Sequence, residues 1–172
     1  VLSVIVFIFF TPLDNTMSLL PIFTYGSPVL RKKAKPVDEV SDDLVKLVMD
    51  MFDTMRNANG IGLAATQVGS LHRVIVIDLT DLEETKEVPP ITLINPEVIS
   101  AEGSWTMEEG CLSIPDVRAD VERPETVRIR FRNAHFADVE LEATGIVGRV
   151  LLHEIDHLDG VLFIDHLAPA QK

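Results

Sequence analysis

The chain has 172 residues, the size of one ordinary domain, and 47% of them are hydrophobic, enough for a single continuous core. With 27 acidic residues against 15 lysines and arginines the formal net charge is -12, which excludes a phosphate backbone as the main partner, because nucleic-acid binders present a basic face. A single cysteine excludes an internal disulfide and suits a reducing compartment.

The apolar run at residues 1–10 has no basic lead-in and no small-residue cleavage pattern, and it is shorter than the roughly 20 residues a spanning helix needs. We read residues 1–16 as an upstream extension, with no membrane role, and residues 17–172 as one domain. The basic run Arg31, Lys32, Lys33 and Lys35 reads as a solvated loop before Pro36.

Ser41 is the expected N-cap of a helix whose first turn carries Asp42 and Asp43, where the helix dipole favours negative charge. Leu44, Val45, Leu47, Val48, Met51, Phe52 and Met55 follow at helical spacing, and Asn59-Gly60 supplies the stop. This predicts an N-terminal amphipathic helix. Strand-like runs then cover residues 73–78, 91–94, the neighbourhood of Val98, 126–131 and 139–141. Their close spacing without intervening helices predicts antiparallel pairing. Residues 81–90 are charged, end in Pro89-Pro90 and read as an exposed loop.

The last predicted element is a helix over residues 144–159. Its apolar residues Ile146, Val147, Val150, Leu151, Leu152, Ile155 and Leu158 surround the axis, which marks a helix buried among other elements. On it stand His153, Glu154 and His157 in the pattern H-E-x-x-H. Histidines four apart lie one turn above each other and can reach one metal ion, with the Glu beside them placed to handle a proton.

Two histidines leave such a site incomplete, since a catalytic ion takes three protein ligands and keeps one position for water. A third His six residues after His157 would mark one protease class, but Phe163 stands there. The 15 residues after His157 contain no Glu, and Asp159, Asp165 and His166 are lesser candidates. The stronger candidate lies upstream: Cys111, in the segment E-E-G-C-L-S-I-P at 108–115, whose thiolate is a strong ligand for zinc or ferrous iron. A third segment, G-I-G-L-A-A-T-Q at 60–67, combines glycines, small residues and one amide.

G-I-G-L-A-A-T-Q, E-G-C-L-S and H-E-I-D-H together resemble the three motifs of the peptide deformylases, in the same order and at comparable separations. The resemblance runs from about Leu20 to Leu167. It implies an α+β fold, with antiparallel sheets around a central helix carrying the H-E-x-x-H residues. It also implies an enzyme, a metal-dependent amide hydrolase that removes the N-formyl group from formyl-methionine at the start of new polypeptides and releases formate. By the same likeness Cys111, His153 and His157 are the metal ligands and Glu154 the proton carrier. The Gln67 amide and the Leu112 backbone N–H are expected to stabilise the oxyanion.

Gly62 and Gly110 are expected to pair with an extended peptide, and Ile61, Ile146 and Val150 to receive the methionine side chain, with Arg118 near the site. The implied cofactor is one divalent ion, Fe(II) in cells, with Zn, Ni or Co in preparations. Implied partners are formyl-methionyl peptides and nascent chains, with transient ribosome contact and no DNA binding. The long C-terminal helix carried by some members is not matched after Leu167, so a docking role for that helix is not transferred. The expected location is the bacterial cytoplasm, with an organelle as the alternative. One departure is Leu152, where family members commonly place Gln.

Overall fold

Residues 18–168 are described by the structure, a computed structural model; the expected extension at residues 1–16 lies outside them. Helix α1 (Asp42–Asn57) begins where Ser41, in extended conformation, accepts a hydrogen bond from the Leu44 amide, with Asp42 and Asp43 in the first turn. It buries Leu44, Met51 and Met55 and ends just before Asn59, which takes a left-handed φ of 54°.

The strands are β1 (Gly62–Ala64), β2 (Val74–Ile77), β3 (Ile91–Glu102), β4 (Trp105–Cys111), β5 (Ile114–Arg123), β6 (Thr126–Arg132) and β7 (Asp138–Thr144). Five form one antiparallel sheet in the order β1-β2-β3-β6-β7, while β4 and β5 pair only with each other. Helix α2 (Gly145–Leu158) follows β7 directly.

Strand β2, with the sequence Val-Ile-Val-Ile, explains why the sheet is covered on both sides. Side chains alternate across a strand, and Val74 and Val76 pack in one cluster with Met51 and Met55 of α1, while Ile75 and Ile77 pack with Leu151, Ile155 and Leu158 of α2. Each such side chain contributes about 1.5–3 kcal/mol when fully buried. On β6 the alternation is one-sided: Val127, Ile129 and Phe131 face α2, whereas Arg128, Arg130 and Arg132 point outward to Glu140, Glu97 and Asp138. Exposed pairs of this kind contribute about 0–1 kcal/mol each, so the core and not the charge ladder holds the sheet. Gly148 allows α2 to lie close on β7, since a Cβ there would sit 3.0 Å from the Ala143 carbonyl oxygen.

The class is α+β with antiparallel sheets and two helices, as the sequence implied. Two details differ. The runs at 91–94 and around Val98 are one strand, interrupted by an irregularity where Asn95 takes a φ of 54° and its side chain bonds both the N–H and the carbonyl of Val37. Residues 105–123, read only through the motif around the cysteine, form the β4–β5 hairpin, so Cys111 ends a strand. The segment at 81–90 is a succession of turns that buries Thr85, whose hydroxyl donates to the Leu79 carbonyl. In the basic run, Arg31 pairs with Asp165 and Lys33 with Asp159. No helix among the described residues is long and apolar enough to cross a membrane.

Candidate metal centre

Helix α2 places His153 and His157 one turn apart, with ring centroids separated by 5.0 Å. The hairpin brings in the third group. A bulge between Gly110 and Cys111 interrupts the β4–β5 register, and Cys111 Sγ lies 3.1 Å from His157 Nε2. The ligand atoms of Cys111, His153 and His157 all lie within 4.8 Å of one another. A tetrahedral ion with bonds of about 2.0–2.3 Å spreads its ligands roughly 3.3–3.7 Å apart, so this sulfur-and-two-nitrogen set fits one small divalent ion.

Glu109 stands two residues before Cys111 and so shares its strand face. Its Oε2 is 2.9 Å from His153 Nδ1, which directs the other ring nitrogen toward Cys111 and His157. The same carboxylate accepts from Arg123 at 2.6 and 3.1 Å and from Arg149 at 2.8 Å. Arg123 continues to Asp156 at 2.7 Å, and Asp156 meets His166 at the surface. Burial alone would raise the Glu109 pKa, but hydrogen bonds from His153 and Arg123 more than offset it and hold the group well below the usual carboxylate range.

The other titrating groups separate sharply. Burial works against a charged His153, yet its hydrogen bonds to Cys111 and Glu109 prevail and lift it to about 10. His157 is pushed down to about 3 by burial and by the neighbouring His153. Glu154, only 4% exposed, is raised to about 7 by burial, and its Oε2 has no hydrogen-bond partner among the described residues. A carboxyl group titrating near neutrality can both take and return a proton.

Gln67 sits in the short 3-10 turn Ala65–Val68, where its Oε1 accepts from the Ala64 amide at 2.8 Å. Its Nε2 is thereby aimed at the centre, 3.7 Å from Cys111 Sγ and 3.2 Å from Ser113 Oγ. A cleft of about 620 Å³ opens over these groups. Ile61, Gly62, Gln67, Gly110, Cys111, Leu112, Arg118, Ile146, Val150, His153 and Glu154 all line it, while His157, 1% exposed, lies beneath. The residues of the three motifs are therefore brought together at one site, whereas the lesser candidates Asp159, Asp165 and His166 bond Arg73, Arg31 and Asp156 outside the cleft. The Arg118 side chain is exposed and reaches Glu108, itself exposed, at 3.5 Å.

Sequence reasoning missed the polar floor formed by Glu109, Arg123, Arg149 and Asp156. A signal for three of them was present: Glu109 shares the strand face of Cys111, Arg149 lies one helical turn before His153, and Asp156 falls inside H-E-x-x-H. Arg123 carried no such local mark.

A buried carboxyl group raised toward neutrality beside three side chains that could hold a metal ion, in a cleft open to solvent, suits the addition of water to an amide, and the family matches below make the chain a metal-dependent hydrolase. Residues 19–172 match the family model described as polypeptide deformylase. The peptide deformylase of Salinibacter ruber is 49% identical over 162 residues, covering 90% of this chain and 83% of its own. That of Prosthecochloris aestuarii is 46% identical over 149 residues, covering 87% and 80%.

Among solved structures, a peptide deformylase from Legionella pneumophila superposes with a TM-score of 0.84 at 38% identity, covering 90% of this chain and 89% of that one. The peptide deformylase of Synechococcus elongatus in complex with actinonin gives 0.81 at 43% identity, covering 87% and 81%. The chain belongs to the polypeptide deformylase family. Its activity is the metal-dependent removal of the N-formyl group from formyl-methionine at the start of new polypeptides, with release of formate.

Proposed function

We propose that Cys111, His153 and His157 hold one divalent ion, Fe(II) in cells and exchangeable for Zn, Ni or Co on purification. When bound, that ion supplies Lewis-acid activation of water and of the formyl carbonyl. The Glu154 carboxylate takes the proton of the attacking water and later delivers it to the departing amine. The Gln67 Nε2 amide and the Leu112 backbone N–H stabilise the negative charge that develops on the formyl oxygen.

Substrate enters as an added strand. β1 is an edge of the five-stranded sheet and β4 pairs only with β5, so both leave an unpaired side, and Gly62 and Gly110 on them line the same cleft. The main chain of an extended peptide bonds to these edges. Ile61, Ile146 and Val150 form the apolar wall that receives the methionine side chain, and Arg118 meets the peptide further along. Nascent chains are the natural substrates, met during transient contact with the ribosome in the cytoplasm.

The observation that carries this reading is the convergence of the three ligands with Glu154 in one cleft. The test is formate release by ferrous-loaded protein from formyl-Met and acetyl-Met peptides, prepared with and without oxygen. Cleavage confined to the formyl peptide is expected, with activity declining in air as the iron-thiolate centre oxidises. Equal cleavage of both peptides, or of internal bonds, rejects the proposed specificity.

A further inference from the structure

The β4–β5 hairpin that carries Cys111 shares no strand pairing with the five-stranded sheet, so no ladder of hydrogen bonds sets its register against helix α2. Something else must hold a strand-borne sulfur in place opposite two helix-borne imidazoles. Among the described residues of α2, Arg149 is the only arginine or lysine, and it reaches into the hairpin. It is 3% exposed, an arginine on an otherwise apolar stretch of helix.

We infer that Arg149 is a positioning residue for the metal centre, fixing the hairpin to the helix through the carboxylate that orients His153. This rests on the reading of Cys111, His153 and His157 as metal ligands. Arg149 Nη1 donates to Glu109 Oε1 at 2.8 Å and to the Val121 carbonyl at 2.9 Å; Nη2 donates to the Trp105 carbonyl, and the guanidinium lies 5.0 Å from the centre of the Trp105 ring. One planar fork therefore binds both strands of the hairpin. The other oxygen of Glu109 faces His153 Nδ1, so displacement of Arg149 removes one of the two guanidinium groups, with that of Arg123, that hold the carboxylate setting the His153 ring. Arg123 makes a second tie, from the hairpin to Asp156 of α2 at 2.7 Å, but unlike Arg149 it does not bond the Trp105 and Val121 carbonyls of the two strands.

Lysine would keep the charge but not the divergent contacts of the fork. Methionine would keep the length and apolar bulk while removing the donors. The test compares wild type, Arg149→Lys and Arg149→Met, each titrated with Co(II) against a competing chelator. Also measured are the thiolate-to-cobalt absorption band and ligand-field spectrum, kcat and KM on a formyl-Met peptide, and Tm in chelator.

We expect Co(II) to bind about 10- to 100-fold more weakly to both variants, with an altered ligand-field spectrum and a fall in kcat at little-changed KM. Wild-type Co(II) affinity and spectrum in the variants, even with a lower Tm, would overturn the inference and leave Arg149 a purely structural residue. If the methionine variant fails to fold, the lysine variant decides between the same two outcomes. Absence in wild type of a thiolate band that Cys111→Ser abolishes would refute the ligand assignment itself, and the inference with it.

Discussion

Gly62 presses its backbone against Glu154: a Cβ at position 62 would lie 2.5 Å from Oε1 and 2.9 Å from Cγ of that carboxylate, and 2.9 Å from Cγ1 of Val150. Contacts that short force something to move, and the group nearest at hand is the one proposed to carry the proton. Gly62→Ala should therefore lower kcat about 100-fold while the protein keeps its metal, because small displacements of a reacting group cost that much. Gly110→Ala is the control. The three atoms nearest its added Cβ would all belong to the flexible Arg118 side chain, at 3.5–3.8 Å, so folding and kcat should survive with at most an effect on KM. Steady-state kinetics with metal analysis checks both, and equal kcat losses would show that the close approach at Gly62 is not what matters.

Glu154→Ala should retain one metal ion per chain and lose about 10²–10⁴-fold in turnover. A linked prediction concerns stability. Because burial raises Glu154 from 4.5 to about 7, the folded state holds its proton more tightly than the unfolded chain. Ionising it therefore costs stability as pH rises from about 4.5 to about 7, and the cost persists above that range. Metal-free Glu154→Gln should melt several degrees higher than metal-free wild type at about pH 8, with no difference near pH 4. Thermal melts in chelator at the two pH values decide it; a pH-independent difference would count against an ionisable, buried carboxyl group.

Metal loading should release protons. In the metal-free protein the balance of burial against the Cys111 and Glu109 hydrogen bonds keeps His153 protonated up to about pH 10, and a cation cannot share that nitrogen with a proton. Affinity should thus rise with pH through the neutral range. Calorimetric titration with Zn at pH 7.5 in buffers of different ionisation enthalpy should reveal release of about one proton or more. Zero release would mean that His153 is already neutral before the ion arrives.

The cap of α1 offers a prediction confined to stability. Ser41 accepts from the Leu44 amide at 3.2 Å and lies outside the catalytic cleft. Ser41→Ala should cost about 1 kcal/mol by urea unfolding and leave kcat/KM unchanged. A change in activity without one in stability would contradict a capping role.

What could be read from the sequence was what local spacing encodes. The cap at Ser41, the periodicity of α1 and the one-turn separation of His153 and His157 each depend on neighbours within a few residues, so both helices and the histidine pair on α2 were legible. The β4–β5 hairpin was not, although Val117, Ala119 and Val121 alternate with Arg118, Asp120 and Glu122. Its strands are rich in acidic residues that face solvent, which dilutes the apolar signal of a strand. Asn95-Pro96 concealed the continuity of β3 because that pair usually punctuates a turn. The Glu109 network escaped notice for a different reason: its partners come from β4, β5 and α2, and only the fold brings them together.

Strands β1 and β4, each lacking a neighbour on one side and both contributing residues to one cleft, bear on timing. A polypeptide whose beginning has already coiled into a helix or joined a sheet of its own has no free main-chain groups to offer them. On the proposed strand-addition mode of binding, the cleft selects chain ends that have not yet adopted structure, so that trimming comes first in a growing protein and folding afterwards.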